Sequence, residues 1–219
     1  MSKSKDLILQ NIEEQKFWNN NEIWEEDGEE WSRSFGGTEK LWQGFIFPKI
    51  ESYLKGVCIE IAPGHGRMTS QLLSHFSKIY IVDMNENCIK RCKEKFSEVT
   101  NLSYHINDGM SLSSINDNSV DFVFSWDSFV HMQKFVIENY LSEISKKLRI
   151  GGVGAIHHSF LFGGDEVRSF RNKQGRSNFT PDIFKHMSEQ YNLEIIKQDI
   201  FKFNELHDCF SIFRKGVCG

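Results

Sequence analysis

Four side chains that follow strand-like runs in the second half of the sequence could share in proton transfer: Asp127, His131, His157 and His158. Imidazole is the side chain whose ordinary pKa falls between about pH 5 and 8, so a histidine facing a pocket can take a proton from a bound hydroxyl. Asp127 and His131 lie about one helical turn apart, close enough for the carboxylate to orient the ring. His157 and His158 are consecutive, and in a strand consecutive side chains go to opposite faces. One of the two is therefore expected to reach a ligand, and the sequence leaves open which. With a strand-borne histidine, Asp127 and His131 could also gather a divalent cation that acidifies a hydroxyl. No contiguous ligand motif calls for one, and a metal is not expected.

A second chemical feature is the run EIAPGHGR, from Glu60 to Arg67. It follows an apolar strand-like stretch and precedes a helix-like one, a junction where glycines let the backbone approach a ligand and free amides favour oxygen-rich groups. Gly64 and Gly66 are the expected close-approach positions. The next strand-like run ends at Asp83, roughly twenty residues on, where a carboxylate can accept from both hydroxyls of a ribose. A glycine turn alone is weak evidence, but with its strand, its helix and Asp83 it describes a pocket for an adenosine ligand. His65 reads as a turn residue, and His75, His105 and His186 have no nameable partner.

The elements that must position these groups alternate along the chain from Val57 onward, the pattern of a parallel sheet covered by helices. Strands are expected at 57–62, 79–83, 102–108, 120–126 and 152–158. Helices are expected at 66–76, 85–96 and 135–148, the last closed by Gly151 and Gly152, and another opens at Thr180-Pro181 with Thr180 as its cap. The segments 193–201 and 209–215 are joined too closely for a helical crossover and should pair antiparallel. Residues 1–55 differ in kind. They hold Trp18, Trp24, Trp31 and Trp42, the acidic run EEDGEEW and the pair Gly36-Gly37, and should pack over the domain formed by 56–219.

A net charge of −4 and scattered lysines give no basic stripe, so nucleic acid is not an expected partner. The N-terminal run has no long apolar stretch and no cleavage-site pattern, which points away from export and membranes and toward the cytoplasm. Cys58, Cys88, Cys92, Cys209 and Cys218 follow no zinc spacing and read as reduced thiols.

On EIAPGHGR, Asp83, NDGMSL (107–112), SVDFVFSWDSFVHM (119–132) and LRIGGVGAIHH (148–158), the chain resembles the class I, seven-strand S-adenosylmethionine-dependent methyltransferases over about residues 50–215. The resemblance implies a Rossmann-like, doubly wound α/β sheet of seven strands, mostly parallel with an antiparallel last strand, plus an N-terminal helical lid. It implies S-adenosylmethionine as cofactor and S-adenosylhomocysteine as product. By that similarity the cofactor lies against Glu60, Ala62, Pro63, Gly64, Gly66, Arg67, Asp83, Met84, Asp108, Gly109, Met110, Ser125 and Trp126. Ala62 and Pro63 stand where the family often has a glycine and a variable residue, so a less close approach to the methionine end is expected there.

Ligands of open parallel sheets sit beyond the strands' carboxyl ends, which makes Asp127, His131, His157 and His158 the expected catalytic set of an O-methyltransferase with a histidine base. Arg33, Trp42 and Gln43 in the lid, and Arg168, Arg171 and Arg176 after the fifth strand, are the candidates for holding an acceptor. That acceptor is a small molecule, such as a sugar, a sugar nucleotide or a phosphorylated metabolite. HHSFLFGG, RSNFTPDIF and DCFSIFRK are similar to small methyltransferases of bacterial surface-polysaccharide and secondary-metabolite pathways. The rival readings are a nicotinamide-dependent oxidoreductase, which uses the same turn, and a non-catalytic cofactor-binding subunit.

Overall fold

Strand β1 (Val57–Ile61) is buried on both faces, and each neighbour that pairs with it does so in parallel, as near-continuous apolar runs do when helices cover both sides. Around it the computed structural model, which describes residues 24, 26–161, 176–203 and 206–217, builds one seven-stranded sheet. The other strands are β2 (Lys78–Asp83), β3 (Leu102–Ile106), β4 (Val120–Ser125), β5 (Leu148–Phe160), β6 (Leu193–Phe203) and β7 (Leu206–Lys215). Their order is β3-β2-β1-β4-β5-β7-β6. β7 pairs antiparallel with both β5 and β6, so it alone runs against the rest. Strand order reverses between β1 and β4, and the crevice beyond their carboxyl ends is where such sheets receive ligands.

Alternation along the strands divides the core between the two faces. Cys58, Phe122 and Phe124 point to one face, where they meet Trp42, Ile46, Ile50, Met68 and Leu72. Ile59, Ile61 and Val123 point to the other. There they pack on α4 (Lys134–Lys147), whose Val136, Ile137, Tyr140, Leu141 and Ile144 form one buried stripe at helical spacing. Helix α3 (Glu86–Lys95) starts at Asn85, whose side chain accepts from the amides of Asn87 (2.9 Å) and Cys88 (3.4 Å), and it turns Ile89 and Cys92 inward as expected. Helix α5 (Pro181–Gln190) opens on Thr180, whose hydroxyl accepts from Ile183 N–H.

Three expectations change. The helix read over 66–76 is only α2 (Thr69–Leu72), because the chain before it is spent in turns with Gly64 and Gly66 at positive φ. Gly151 and Gly152 do not close α4; strand β5 starts directly at Leu148, and the two glycines lie in its first turn of chain, beside a register shift against β4. Residues 127–133 form successive turns rather than a helix, with His131 N–H bonded to Ser128 O and Met132 N–H to Phe129 O.

The segment before β1 is helical and packed on the sheet. A 3₁₀ stretch (Glu29–Phe35) leads into α1, residues 38–50, made of Thr38–Leu41, a π-helical turn Trp42–Ile46, and Phe47–Ile50. The wide turn comes directly before Pro48, which has no N–H to continue an α-helical ladder.

Candidate active site

The turn after β1 is built from left-handed backbone: Ala62, Gly64 and Gly66 have φ of 54°, 60° and 78°. The two glycines serve different ends. A methyl on Gly66 would strike Phe96 and crowd Cys92, so Gly66 lets the turn pack on α3 and its flank, a correction to its expected role as a close-approach position. A methyl on Gly64 would instead strike the Trp24 ring, which lies against it. Trp24 also stacks on His65, with centroids 4.1 Å apart and planes 17° from parallel, and His65 Nδ1 is 2.8 Å from Asp27 Oδ1.

Two buried carboxylates close this turn from below. Asp83 accepts from Asn85 N–H at 2.8 Å and from Gly64 N–H at 3.4 Å, and burial pushes its pKa up to about 6 against those bonds. Glu60 accepts from Thr69 Oγ1 at 2.6 Å, and burial raises it to about 7. Acids held this far from water, at the ends of adjacent parallel strands and beside a glycine turn, suit a ligand that brings hydroxyl and ammonium donors. The residues therefore fit the adenosine and amino-acid ends of S-adenosylmethionine. Past β3, Asp108 Oδ1 accepts from the amides of Met110 (3.1 Å) and Ser111 (2.8 Å), and Gly109 adopts φ 82°, so this loop is shaped by Asp108 itself. Met84 and Pro63 are half-buried at the same rim.

Arg67 leaves the glycine turn in the direction of β4. Its guanidinium donates to Ser32 Oγ and, at 2.6 Å, to Asp127 Oδ2. Asp127 takes φ 60°, and its backbone N and its Oδ1 lie 3.2 and 3.3 Å from Nδ1 of His157. The Nε2 of His157 stands 3.2 Å from Asp208 Oδ2, and Asp208 accepts from Arg176 Nε (3.2 Å) and Nη2 (2.9 Å). One buried chain of charges thus runs from the glycine turn through the ends of β4 and β5 to β7. Burial opposes ionisation of Asp127, but the His157 bond and the Arg67 charge overcome it and hold its pKa below the ordinary carboxylate range. Burial likewise pulls His157 down, and the carboxylates of Asp127 and Asp208 more than offset it, so its pKa is raised.

The structure separates the two consecutive histidines. His157 joins Asp127 and stacks near Trp126 (4.3 Å), whereas His158 points to the opposite face, stacked on Phe184 at 4.4 Å and 9°. His158 donates from Nδ1 to Ser159 O and accepts at Nε2 from Ser211 Oγ, and burial lowers its pKa to about 3. It is a neutral core residue, which corrects its place in the catalytic set. His131 is half-buried on the turns after β4, but Asp127 turns to Arg67 and His157, which replaces the expected Asp127–His131 pair.

Other expected contacts move. Ser125 is fully buried and donates to Ile61 O at 2.8 Å, bracing β4 against β1 instead of facing a ligand. Trp42 is a core residue against Phe124 and Phe47, Gln43 is exposed, and Arg33 is an exposed partner of Glu26. From α1 it is Phe45 that meets Trp126 (6.0 Å) and Phe201 of β6 (4.7 Å), while Trp126 lies parallel to Phe201 at 5.9 Å. Arg176 is committed to Asp208, and Arg168 and Arg171 lie outside the described residues. Asp208, Ser32, Phe45 and Phe201 had no signal in the sequence beyond one: Asp208 stands directly before the apolar run CFSIF. Among the described residues no group of three or more histidine, cysteine or acidic side chains is arranged to hold a metal ion, and no helix is long and apolar enough to cross a membrane.

Residues 58–152 match the family model for a methyltransferase domain. In fold, the chain is similar to an S-adenosylmethionine-dependent methyltransferase from Leishmania major, with a TM-score of 0.70 and 10% identity over 94% of this chain and 83% of that one. It is also similar to one from Clostridium acetobutylicum, with 0.65 and 16% over 81% and 92%. The seven-strand order with the reversed β7 is the fold of the class I S-adenosylmethionine-dependent methyltransferases, a family whose cofactor is S-adenosylmethionine, and the stretch that matches the methyltransferase-domain model lies within that sheet. A curated relative is phosphoethanolamine N-methyltransferase 1 of Triticum aestivum, 29% identical over 140 residues, which are 62% of this chain. The match spans 28% of that relative's length.

Proposed function

We propose that this chain transfers a methyl group from S-adenosylmethionine to a small polar acceptor seated beyond the carboxyl ends of β4 and β5, with Asp127 facing it. The observation that carries the reading is the Arg67–Asp127 pair at 2.6 Å, which ties the cofactor turn to the residue that ends β4. The cofactor, when bound, supplies an electrophilic methyl on a sulfonium. Gly64 and Asp83 hold its nucleoside, Glu60 its amino-acid end, and the segment 24–53 acts as a lid that keeps water out. Asp127, ionised, would attract a cationic amine and orient it once the amine has given one proton to solvent. The freed nitrogen would take the methyl in line as the carbon–sulfur bond breaks, and the methylated amine would leave as an ammonium. The curated relatives named for phosphoethanolamine make an amine that carries a phosphate the first acceptor to try.

A second reading keeps the hydroxyl acceptor and the histidine base. The half-buried His131, in the turns that follow β4, favours it. There the ring would take the hydroxyl proton as the oxygen–carbon bond forms.

The test is methyl-labelled cofactor turnover with phosphoethanolamine and with a panel of hydroxylated metabolites, alongside calorimetry with S-adenosylhomocysteine and with NAD. Turnover of an amine that Asp127→Ala abolishes supports the first reading. Turnover confined to hydroxyl acceptors and lost in His131→Ala supports the second. Binding of the product with no turnover of any acceptor leaves a cofactor-binding subunit, and binding of NAD in its place overturns the assignment.

A further inference from the structure

We propose that Asp208 is a positioning residue of the acceptor site, acting through His157 on the backbone and carboxylate of Asp127. The proposal rests on the reading of Asp127 given above. Asp127 is a non-glycine residue in the left-handed region, a conformation that needs outside support. Its support has two parts: Arg67 holds Oδ2 of the carboxylate, and His157 Nδ1 lies 3.3 Å from Oδ1. A histidine between two carboxylates is held as the cation, with one ring N–H toward Asp127 and the other toward Asp208, whose Oδ2 is 3.2 Å from Nε2. Asp208 thereby sets the charge and orientation of the ring from its rear.

Asp208 is fully buried and does not reach the crevice. It is fixed by the two-point bond from Arg176, a geometry that orients a carboxylate as well as neutralising it. The register of β7 on β5 sets Asp208 opposite Ser159, on the face that His157 shares. The reversed strand thus does more than complete the sheet: it brings a carboxylate to the rear of the histidine that braces Asp127. The charged and titratable groups around His157 are Asp127 at the end of β4, Asp208 on β7, Arg67 from the glycine turn, Arg176 before α5, and His158 on the opposite face of β5. Trp126 and Phe201 cover the ring at 4.3 and 5.3 Å, so no solvent path replaces Asp208 as the partner of Nε2.

The experiment compares wild type, Asp208→Asn, and Asp208→Asn combined with Arg176→Met, which removes both charges of the pair together. Three readouts are taken: S-adenosylhomocysteine affinity by calorimetry, kcat and KM with phosphoethanolamine, and the His157 ring nitrogens with the Asp127 amide by NMR. Loss of an outer partner of a functional histidine is worth about 10–100-fold, so KM should rise at least about tenfold while cofactor affinity stays within about twofold. The His157 ring should titrate at lower pH, and the Asp127 amide should shift. Folded variants with unchanged KM, ring titration and amide overturn the proposal, as does an equal loss of cofactor affinity. If the single variant does not fold, the double variant decides. If wild type turns over no phosphoethanolamine, the amine reading fails separately, and the NMR comparison alone decides the role of Asp208.

Discussion

Trp24 lies face to face with His65, 4.1 Å away, and its ring rests on Gly64, so a residue from the segment before the first strand covers the turn proposed to meet the cofactor. The same segment is fastened a second time through Ser32 to Arg67 and a third time through Asp27 to His65 and Arg91. The lid reading makes a direct demand on this contact. S-adenosylhomocysteine binding should change tryptophan fluorescence, and Trp24→Phe should remove most of that change. Trp24→Ala should lower stability by about 1 kcal/mol, the scale of a lost aromatic stack, as read by urea unfolding.

Gly64→Ala forces a side chain into the left-handed region and against Trp24. The conformational cost alone is about 1–2 kcal/mol. Calorimetry should show S-adenosylhomocysteine affinity down by about tenfold or more, since the lost stability and the displaced turn act together. An unchanged affinity would remove Gly64 from the cofactor site.

Glu60 and Asp83 set a pH dependence whose sign can be worked out. Both have folded-state pKa values raised by burial, to about 7 and about 6, so between pH 4 and 7 the folded protein holds more protons than the unfolded chain. Their contribution to stability is full at low pH and is lost as pH rises through those values. The melting temperature of the ligand-free protein should therefore fall less steeply with pH in Glu60→Gln. Ribose hydroxyls that donate to Asp83 favour its ionised form. Binding of S-adenosylhomocysteine at pH 6 should accordingly release a proton, visible as a buffer-dependent enthalpy, and tighten as pH rises to 7.

Arg67 and Asp127 are both largely buried, with side chains 6% and 12% exposed. Arg67→Met leaves the Asp127 carboxylate without its cation, and removing one partner of a buried pair costs about 3–5 kcal/mol. Denaturant unfolding measures the loss. The variant should also fail in methyl transfer at temperatures where it remains folded, because Asp127 no longer faces the acceptor in one orientation.

His158→Gln should separate the two adjacent histidines. His158 stacks on Phe184 behind the sheet, so the substitution should cost about 1–2 kcal/mol of stability while product affinity and turnover stay near wild type. A loss of turnover matching that of His157→Ala would show that the side of the sheet does not decide the role.

The sheet, its parallel strands and the glycine turn were legible because they depend on local pattern. Apolar runs of strand length, amphipathic stretches between them, and Asp83 at the end of the second strand are all visible in short windows. The caps at Asn85 and Thr180 follow from side chains bonding to amides a few residues on. The helix over 66–76 was overread because its apolar spacing continues through residues whose backbone is held in turns by left-handed glycines.

The amino-acid sequence by itself determined the class of sheet and the position of the glycine turn proposed for the nucleoside, since both follow from side-chain period and from glycine's backbone freedom. Only the tertiary structure decided that His157 and not His158 joins Asp127, that Asp208 stands behind it, and that Phe45 and not Trp42 meets Trp126 and Phe201. Each of these depends on a register or a crossing between segments far apart in the chain. A one-residue shift of β7 on β5 would turn Asp208 to the other face of the sheet, and no local pattern specifies that alignment.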